Sequence, residues 1–340
     1  MQIDLQNINK HFGSVHANKD ISLTFEEGKI IGILGENGAG KSTLMKILSG
    51  YQPATTGTIL IDGNPVDYSG PLAAIAHGIG MLQQDPLDVG AFTVLENFIF
   101  GREAKTFVER LFDDLSSAKK QLNEITNRFG FQLDPELLIS ELSIAQRQQL
   151  EIVRLLAQNV RTLILDEPTT GISTDQKKLL FDTLRSMATE GMTILLVSHK
   201  LEEVISLCDE VAVLRAGELV GQKEMPATKS ELVQMMFGED LPVAERERKD
   251  LSKEPVLLEM RDVTVSEGRL TMQNIHLQVR RGEIIGLAGL DGSGQELLMR
   301  AAAGLHSLDA GNLFLYDANV TGASYHTMMK RGVVFCAAGR

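Results

Sequence analysis

The chain has 340 residues, with 33 Lys and Arg against 45 Asp and Glu and a formal net charge of −12, a length that suits two domains with a core in each. That acidic balance argues against a nucleic-acid partner, because no domain-scale basic surface is left to neutralise phosphates. No stretch approaches the ~20 continuous apolar residues of a membrane-spanning helix and Met1-Gln2-Ile3-Asp4-Leu5 lacks the regions of a signal peptide, so the chain is expected to be cytoplasmic and to meet a membrane only through a partner.

In chain order, the first informative element is the apolar run Ile30 to Leu34, predicted as a buried strand. It leads through Gly35-Glu36-Asn37-Gly38-Ala39-Gly40-Lys41-Ser42-Thr43 into Leu44-Met45-Lys46-Ile47-Leu48, predicted as a helix. Strand, glycine-rich loop and helix in this order make a phosphate cradle: the glycines let backbone N–H groups close around oxygens, and the helix N-terminus adds partial positive charge. Lys41 can reach the β- and γ-phosphates, and the Ser42 hydroxyl can ligate Mg²⁺. A glycine-rich turn before a core helix is the competing reading.

Gln84, after Gly80-Met81-Leu82-Gln83, is a candidate for contacting Mg²⁺ or the attacking water, with Gln83 leaving the assignment open by one residue. Residues 101–160 are rich in Leu, Glu, Lys and Gln at helical spacing, as in Val108, Leu111, Phe112 and Leu115, and predict a helical insertion in an α/β core. Thr162-Leu163-Ile164-Leu165-Asp166-Glu167-Pro168 then puts two carboxylates at a strand end. Asp166 can hold Mg²⁺ and Glu167 can polarise a water; an N-capping pair is the alternative. The strand Met192 to Val197 ends at Ser198-His199-Lys200, where His199 can approach a γ-phosphate. Cys208 and Cys336 stand singly in apolar surroundings and are expected as buried free thiols.

Gly28-Lys29-Ile30-Ile31-Gly32 recurs as Gly282-Glu283-Ile284-Ile285-Gly286, a separation of 254 residues from Gly28 to Gly282, and the register continues ungapped from Gly35 and Gly289 to Gly78 and Gly332. This predicts a tandem duplication. The first copy spans about 1–240, with its helical subdomain at about 86–160, and 241–255 is a charged linker or a solvated helix end. The second copy, 256–340, reaches the counterpart of residue 86 and is expected to be incomplete, so that little activity is expected of the piece by itself.

In this order, the phosphate loop, Gln84, the run Leu142-Ser143-Ile144-Ala145-Gln146, the carboxylate strand and His199 resemble the ATP-binding subunits of ABC transporters. The resemblance implies an α/β fold with a P-loop NTPase core of the ABC ATPase type, ATP and Mg²⁺ as ligands, and head-to-tail pairing of the ATPase domains. It implies that Phe12 stacks on adenine, burial of Phe12 in a core being the alternative. It also implies that Leu142-Ser143-Ile144-Ala145-Gln146, in place of Leu-Ser-Gly-Gly-Gln, offers Ser143 and backbone N–H groups to a γ-phosphate on the opposite domain. Ile144 and Ala145 replace two glycines, which hinders close backbone approach. Ser173 stands where Asp is usual.

The tandem arrangement, Ser198-His199-Lys200-Leu201-Glu202-Glu203 and the Leu232 to Gly238 run look like importers of simple sugars or nucleosides. Such a protein sits on the cytoplasmic face of the cell membrane, energising transmembrane permease subunits fed by an extracytoplasmic substrate-binding protein. In the second phosphate loop Gln295 replaces the Lys and Glu296 the Ser, so charge complementarity to triphosphate is lost. The rival is a soluble tandem ABC ATPase acting on ribosomes or nucleic acid. It calls for a long basic interdomain segment, whereas 241–255 is short and of mixed charge.

Overall fold

Alternating apolar residues build the hairpin of β1 (Ile3–Phe12) and β2 (Val15–Phe25): Ile3, Leu5 and Ile8 on one strand and Ile21, Leu23 and Phe25 on the other point into one core. With β4 (Thr56–Ile61) and β5 (Asn64–Val66) they form an antiparallel sheet in the order β2-β1-β4-β5. The structure is a computed structural model that describes residues 1–83, 88–100, 115–238, 250–268, 270–289 and 293–336. It divides into two units, Met1–Pro242 and Val243–Arg340.

The second sheet of the first unit is built from the apolar runs. β3 (Ile30–Leu34), β6 (Ile79–Leu82), β7 (Thr162–Asp166), β8 (Thr193–Val197) and β9 (Glu210–Arg215) run parallel, and β10 (Glu218–Glu224) adds an antiparallel edge, in the order β10-β9-β3-β8-β7-β6. Every residue of β3 and β8 is buried, as strands covered on both faces must be. Alternate residues serve different cores. Ile31 and Ile33 pack with the first sheet and α1 (Lys41–Leu48), whereas Ile30 and Leu34 pack toward the helical side.

That helical side comprises α3 (Val94–Ile99), α4 (Leu115–Phe129) and α5 (Ile144–Leu156), packed on one another. Thr93 and Glu96 form a capping box that starts α3. Val108, Leu111 and Phe112 lie outside the described residues, and Leu115 is exposed at the start of α4. Around the sheet run α2 (Pro71–Ala76), α6 (Thr174–Thr189), α7 (Leu201–Leu207) and α8 (Lys229–Phe237).

Register sets the site. β3 pairs β8 with Ile33 opposite Val197, and β7 pairs β8 with Asp166 opposite Val197. The chain therefore leaves three neighbouring strands at one edge, and the loops that follow emerge side by side, where open α/β sheets bind ligands.

The second unit repeats the antiparallel sheet: β11 (Val256–Glu267), β12 (Leu270–Arg280), β13 (Ala310–Leu315) and β14 (Ala318–Asn319) lie in the order β12-β11-β13-β14. α9 (Gln295–Ala302) and α10 (Tyr325–Lys330) fall at the counterparts of α1 and α2. A Cβ on Gly57 would come 2.6 Å from the Asn7 carbonyl oxygen, and one on Gly311 2.4 Å from that of Asp262, so the same close strand crossing recurs. Residues 284–288, the counterpart of β3, form no strand, and Ile284 is 86% exposed. β3 is held between β8 and β9, and among the described residues of this unit no parallel strand flanks 284–288. The counterpart of β6 is likewise irregular, so Cys336 is exposed, contrary to the expectation of two buried thiols; Cys208 is buried. Among the described residues no helix is long and apolar enough to cross a membrane.

Candidate functional site

The loop from Gly35 to Thr43 closes on the strands beneath it. Gly40 precedes α1 with φ 97°, and a Cβ there would lie 2.4 Å from the carbonyl oxygen of Ala17 on β2. Only glycine fits a left-handed conformation at such an approach. The fully buried Asn18 fastens the contact, its Nδ2 donating to the Gly40 carbonyl at 3.1 Å. Ala39 is buried, and Asn37 through Thr43 line a cleft of about 610 Å³.

Lys41 is buried, its Nζ donating to the carbonyl oxygens of Gly35 (2.8 Å) and Glu36 (2.9 Å). Burial holds its ammonium below the usual lysine range, with Glu167 and Asp166 opposing that shift. The lysine thus bridges loop carbonyls at the mouth of a helix N-terminus, ready to exchange them for anionic oxygens.

Asp166 ends β7. Burial pushes its carboxyl above the usual range, a hydrogen bond from the Ser42 hydroxyl pulls it back, and Glu167 beside it adds to the rise. A carboxylate and a hydroxyl in contact at the cleft supply the hard oxygen donors that suit Mg²⁺; the residues present therefore fit that ion. Glu167 lines the cleft with φ 50°, a strained conformation for a residue with a side chain, while its N–H donates to the Val197 carbonyl at 3.0 Å. Across that junction His199 Nδ1 lies 2.7 Å from Glu167 Oε1.

Lys41, Ser42, Asp166, Glu167 and His199 are therefore brought together. Phe12 is half-exposed at the end of β1 with Lys10 Nζ 5.0 Å from its ring centre, so it belongs to no core. Ser143 is the N-cap of α5, bonded reciprocally with Gln146, and is not among the residues lining the cleft. Gln84 lies outside the described residues. Ser173 caps α6 through Gln176 N–H at 3.3 Å, a duty serine performs as well as aspartate.

His16 and Lys19 on β2 also line the cleft, with Ala216 and Gly217 after β9. Sequence reasoning missed them. They arrive by a long-range contact, the Lys19 N–H donating to the Gly217 carbonyl at 2.7 Å, and neither residue carries a local signal.

The ABC transporter family profile matches residues 18–170. A nucleoside import ATP-binding protein of Lactococcus lactis subsp. cremoris is 36% identical over 322 residues, 94% of this chain and 63% of the relative. A ribose import ATP-binding protein of Streptococcus agalactiae serotype Ia is 36% identical over 341 residues, 100% of this chain and 68% of the relative. The chain belongs to the ABC transporter ATP-binding proteins. It spans less than two thirds of the Lactococcus relative's length. A crystal structure of an ATP-binding cassette of an ABC transporter in its ADP conformation superposes with a TM-score of 0.61 over 70% of this chain and all of that one, at 24% identity. The α/β architecture of the first unit is thus that of an ABC cassette. In this ABC protein the segment Ser143-Ile144-Ala145 opens α5 with Ile144 at the surface and Ala145 buried.

Proposed function

We propose that this chain is the ATP-binding and ATP-hydrolysing subunit that energises import of a sugar or nucleoside through separate transmembrane permease subunits. The observation that carries the reading is the contact of Glu167 with His199 beside the Lys41 loop. The names of the relatives, nucleoside import and ribose import, support the substrate class. In this reading residues 1–240 are one ATPase domain, 241–255 a linker and 256–340 a second, degenerate copy, supported by the repeated sheet order. The protein works at the cytoplasmic membrane face, fed by an extracytoplasmic substrate-binding protein and pairing its ATPase domains head to tail.

The loop N–H groups and Lys41 bind the phosphates, and Phe12 offers an exposed ring to the adenine. Ser42 and Asp166 would hold Mg²⁺, which would supply charge neutralisation on the phosphate oxygens when bound. Glu167 accepts a proton from the attacking water, and His199, with both ring nitrogens protonated, donates Nδ1–H to Glu167 and Nε2–H to a γ-phosphate oxygen. Ser143 would serve the γ-phosphate of a nucleotide on an opposing domain, and Gln84 or its neighbour Gln83 would contact Mg²⁺ or the attacking water.

The test is purification of the tagged complete protein from membranes, with uptake of labelled ribose and nucleosides measured alongside. A polytopic membrane protein should co-purify, and Lys41→Ala should abolish uptake of one of these solutes. Recovery with ribosomes, and uptake untouched by the variant, would favour the soluble ATPase instead.

A further inference from the structure

Behind the cleft, α7 carries a carboxylate that no step above uses. Glu203 is 3% exposed. The Thr169 hydroxyl lies 2.7 and 2.8 Å from its two oxygens, and the Ser198 hydroxyl donates to it at 3.3 Å. Lys200 Nζ stands 3.5 Å and Lys177 Nζ 3.9 Å away. Lys200 also donates to Thr169 Oγ1 at 3.0 Å through Nζ and to Ser198 Oγ at 3.0 Å through its backbone N–H. A carboxylate this deep is tolerated only when its lone pairs are filled, and here they are filled from three segments.

Those segments are specific. Thr169 follows Glu167 by two residues, Ser198 immediately precedes His199, and Lys177 comes from α6. α7 itself is seated firmly: a Cβ on Gly32 of β3 would lie 2.8 Å from Val204 Cγ1, so the residue next to Glu203 is locked against the strand that feeds the phosphate loop. Strand pairing fixes the two loops at their bases, through Asp166 opposite Val197 and the Glu167 N–H on the Val197 carbonyl, and Glu203 with Lys200 ties them beyond that point. Glu167 is strained at φ 50° and His199 is exposed, which leaves their contact dependent on what fixes the backbone on either side.

We infer that Glu203 is a positioning residue: by binding Thr169 and Ser198 at once, it holds the Glu167 loop and the His199 loop at the spacing their 2.7 Å contact requires. The consequence for turnover rests on the proposed ATPase reading, whereas the positional claim does not.

The first readout is therefore the carbon-bound proton signals of the His199 imidazole by NMR, with Glu167→Gln as the reference for an altered pair. Glu203→Gln should move these signals in the direction of that reference while MgATP affinity stays within about threefold. In the complete transporter, kcat should fall about 10–100-fold with little change in KM, the scale of a misplaced reacting group. Thr169→Val, which keeps side-chain volume, should reproduce both effects if Glu203→Gln folds poorly, and Thr169→Ser, which keeps the hydroxyl, should behave as wild type. Unmoved His199 signals in folded Glu203→Gln or Thr169→Val, whatever the melting temperature, overturn the inference and leave the ATPase reading standing. Moved signals in a chain whose wild type neither binds nor hydrolyses ATP sustain the positioning role and overturn the ATPase reading.

Discussion

His199 Nδ1 and Glu167 Oε1 lie 2.7 Å apart at the ends of two adjacent parallel strands. The contact follows from register: Asp166 faces Val197, and the Glu167 N–H binds the Val197 carbonyl at 3.0 Å, so the next residues of each strand meet over the phosphate loop. Chemistry placed at strand ends is fixed by the most rigid part of the fold.

Lys41→Ala should weaken MgATP binding by about 10²-fold or more, since removing one partner of a buried charged contact costs roughly 2–5 kcal/mol. Lys41 is the loop's one full positive charge. A nucleotide titration giving the variant wild-type affinity would remove Lys41 from the phosphate site.

Two glycines of the loop should respond differently to alanine. Gly38 has φ 82° with nothing within 4 Å of a built Cβ, whereas Gly40 has φ 97° and meets a backbone oxygen at 2.4 Å. Gly38→Ala should cost about 1–2 kcal/mol, the left-handed penalty alone. Gly40→Ala adds a backbone clash, so it should melt lower and lose nucleotide binding. Equal melting temperatures for the two variants would contradict the close approach to Ala17.

Burial raises the folded carboxyl of Asp166 above its ordinary value of 3.8. The folded state then binds more protons than the unfolded one in that window, so stability falls as pH rises through it. Asp166→Asn should therefore melt above wild type at pH 7 without nucleotide, each kcal/mol appearing as roughly 2–4 °C in a domain of this size. The gain should shrink as pH approaches 3.8 from above. Melting curves across pH decide it, and a variant no more stable than wild type at pH 7 would count against a strained metal carboxylate.

The second loop is the contrast. Ser293 Oγ donates to Gln295 Oε1 at 3.0 Å, and the place that Phe12, paired with Val15, holds at the end of the first hairpin is taken by Glu267, paired with Leu270. Without lysine or an aromatic ring, 289–296 should take little ATP, and Gln295→Lys with Glu296→Ser should improve binding. An ATP photo-crosslink landing on 289–296 as readily as on 35–43 of the unmodified chain would refute this.

The strands around the site were legible because Ile30–Leu34, Thr162–Asp166 and Thr193–Val197 are short, mostly apolar runs bounded by glycine or polar residues, a pattern that buried parallel strands impose locally. Ile284 to Ala288 carries a similar pattern yet forms no strand, because a parallel strand exists only with neighbours on its edges. His16 and Lys19 reach the cleft through a contact between β2 and the turn after β9, which no spacing rule reports. Glu203 stands beside exposed Glu202, and nothing in the run Lys200-Leu201-Glu202-Glu203 tells the buried carboxylate from the exposed one; its partners Thr169 and Ser198 lie on two other loops.

The central claim is that Glu167 activates water for attack on ATP held by the Lys41 loop. Its most direct test is the turnover of Glu167→Gln in the complete transporter, with MgATP affinity measured on the same preparation. Affinity should remain within about threefold of wild type while hydrolysis falls by ~10²–10⁴, the range for a lost general base. Hydrolysis at the wild-type rate with intact binding would place the base elsewhere and contradict the account.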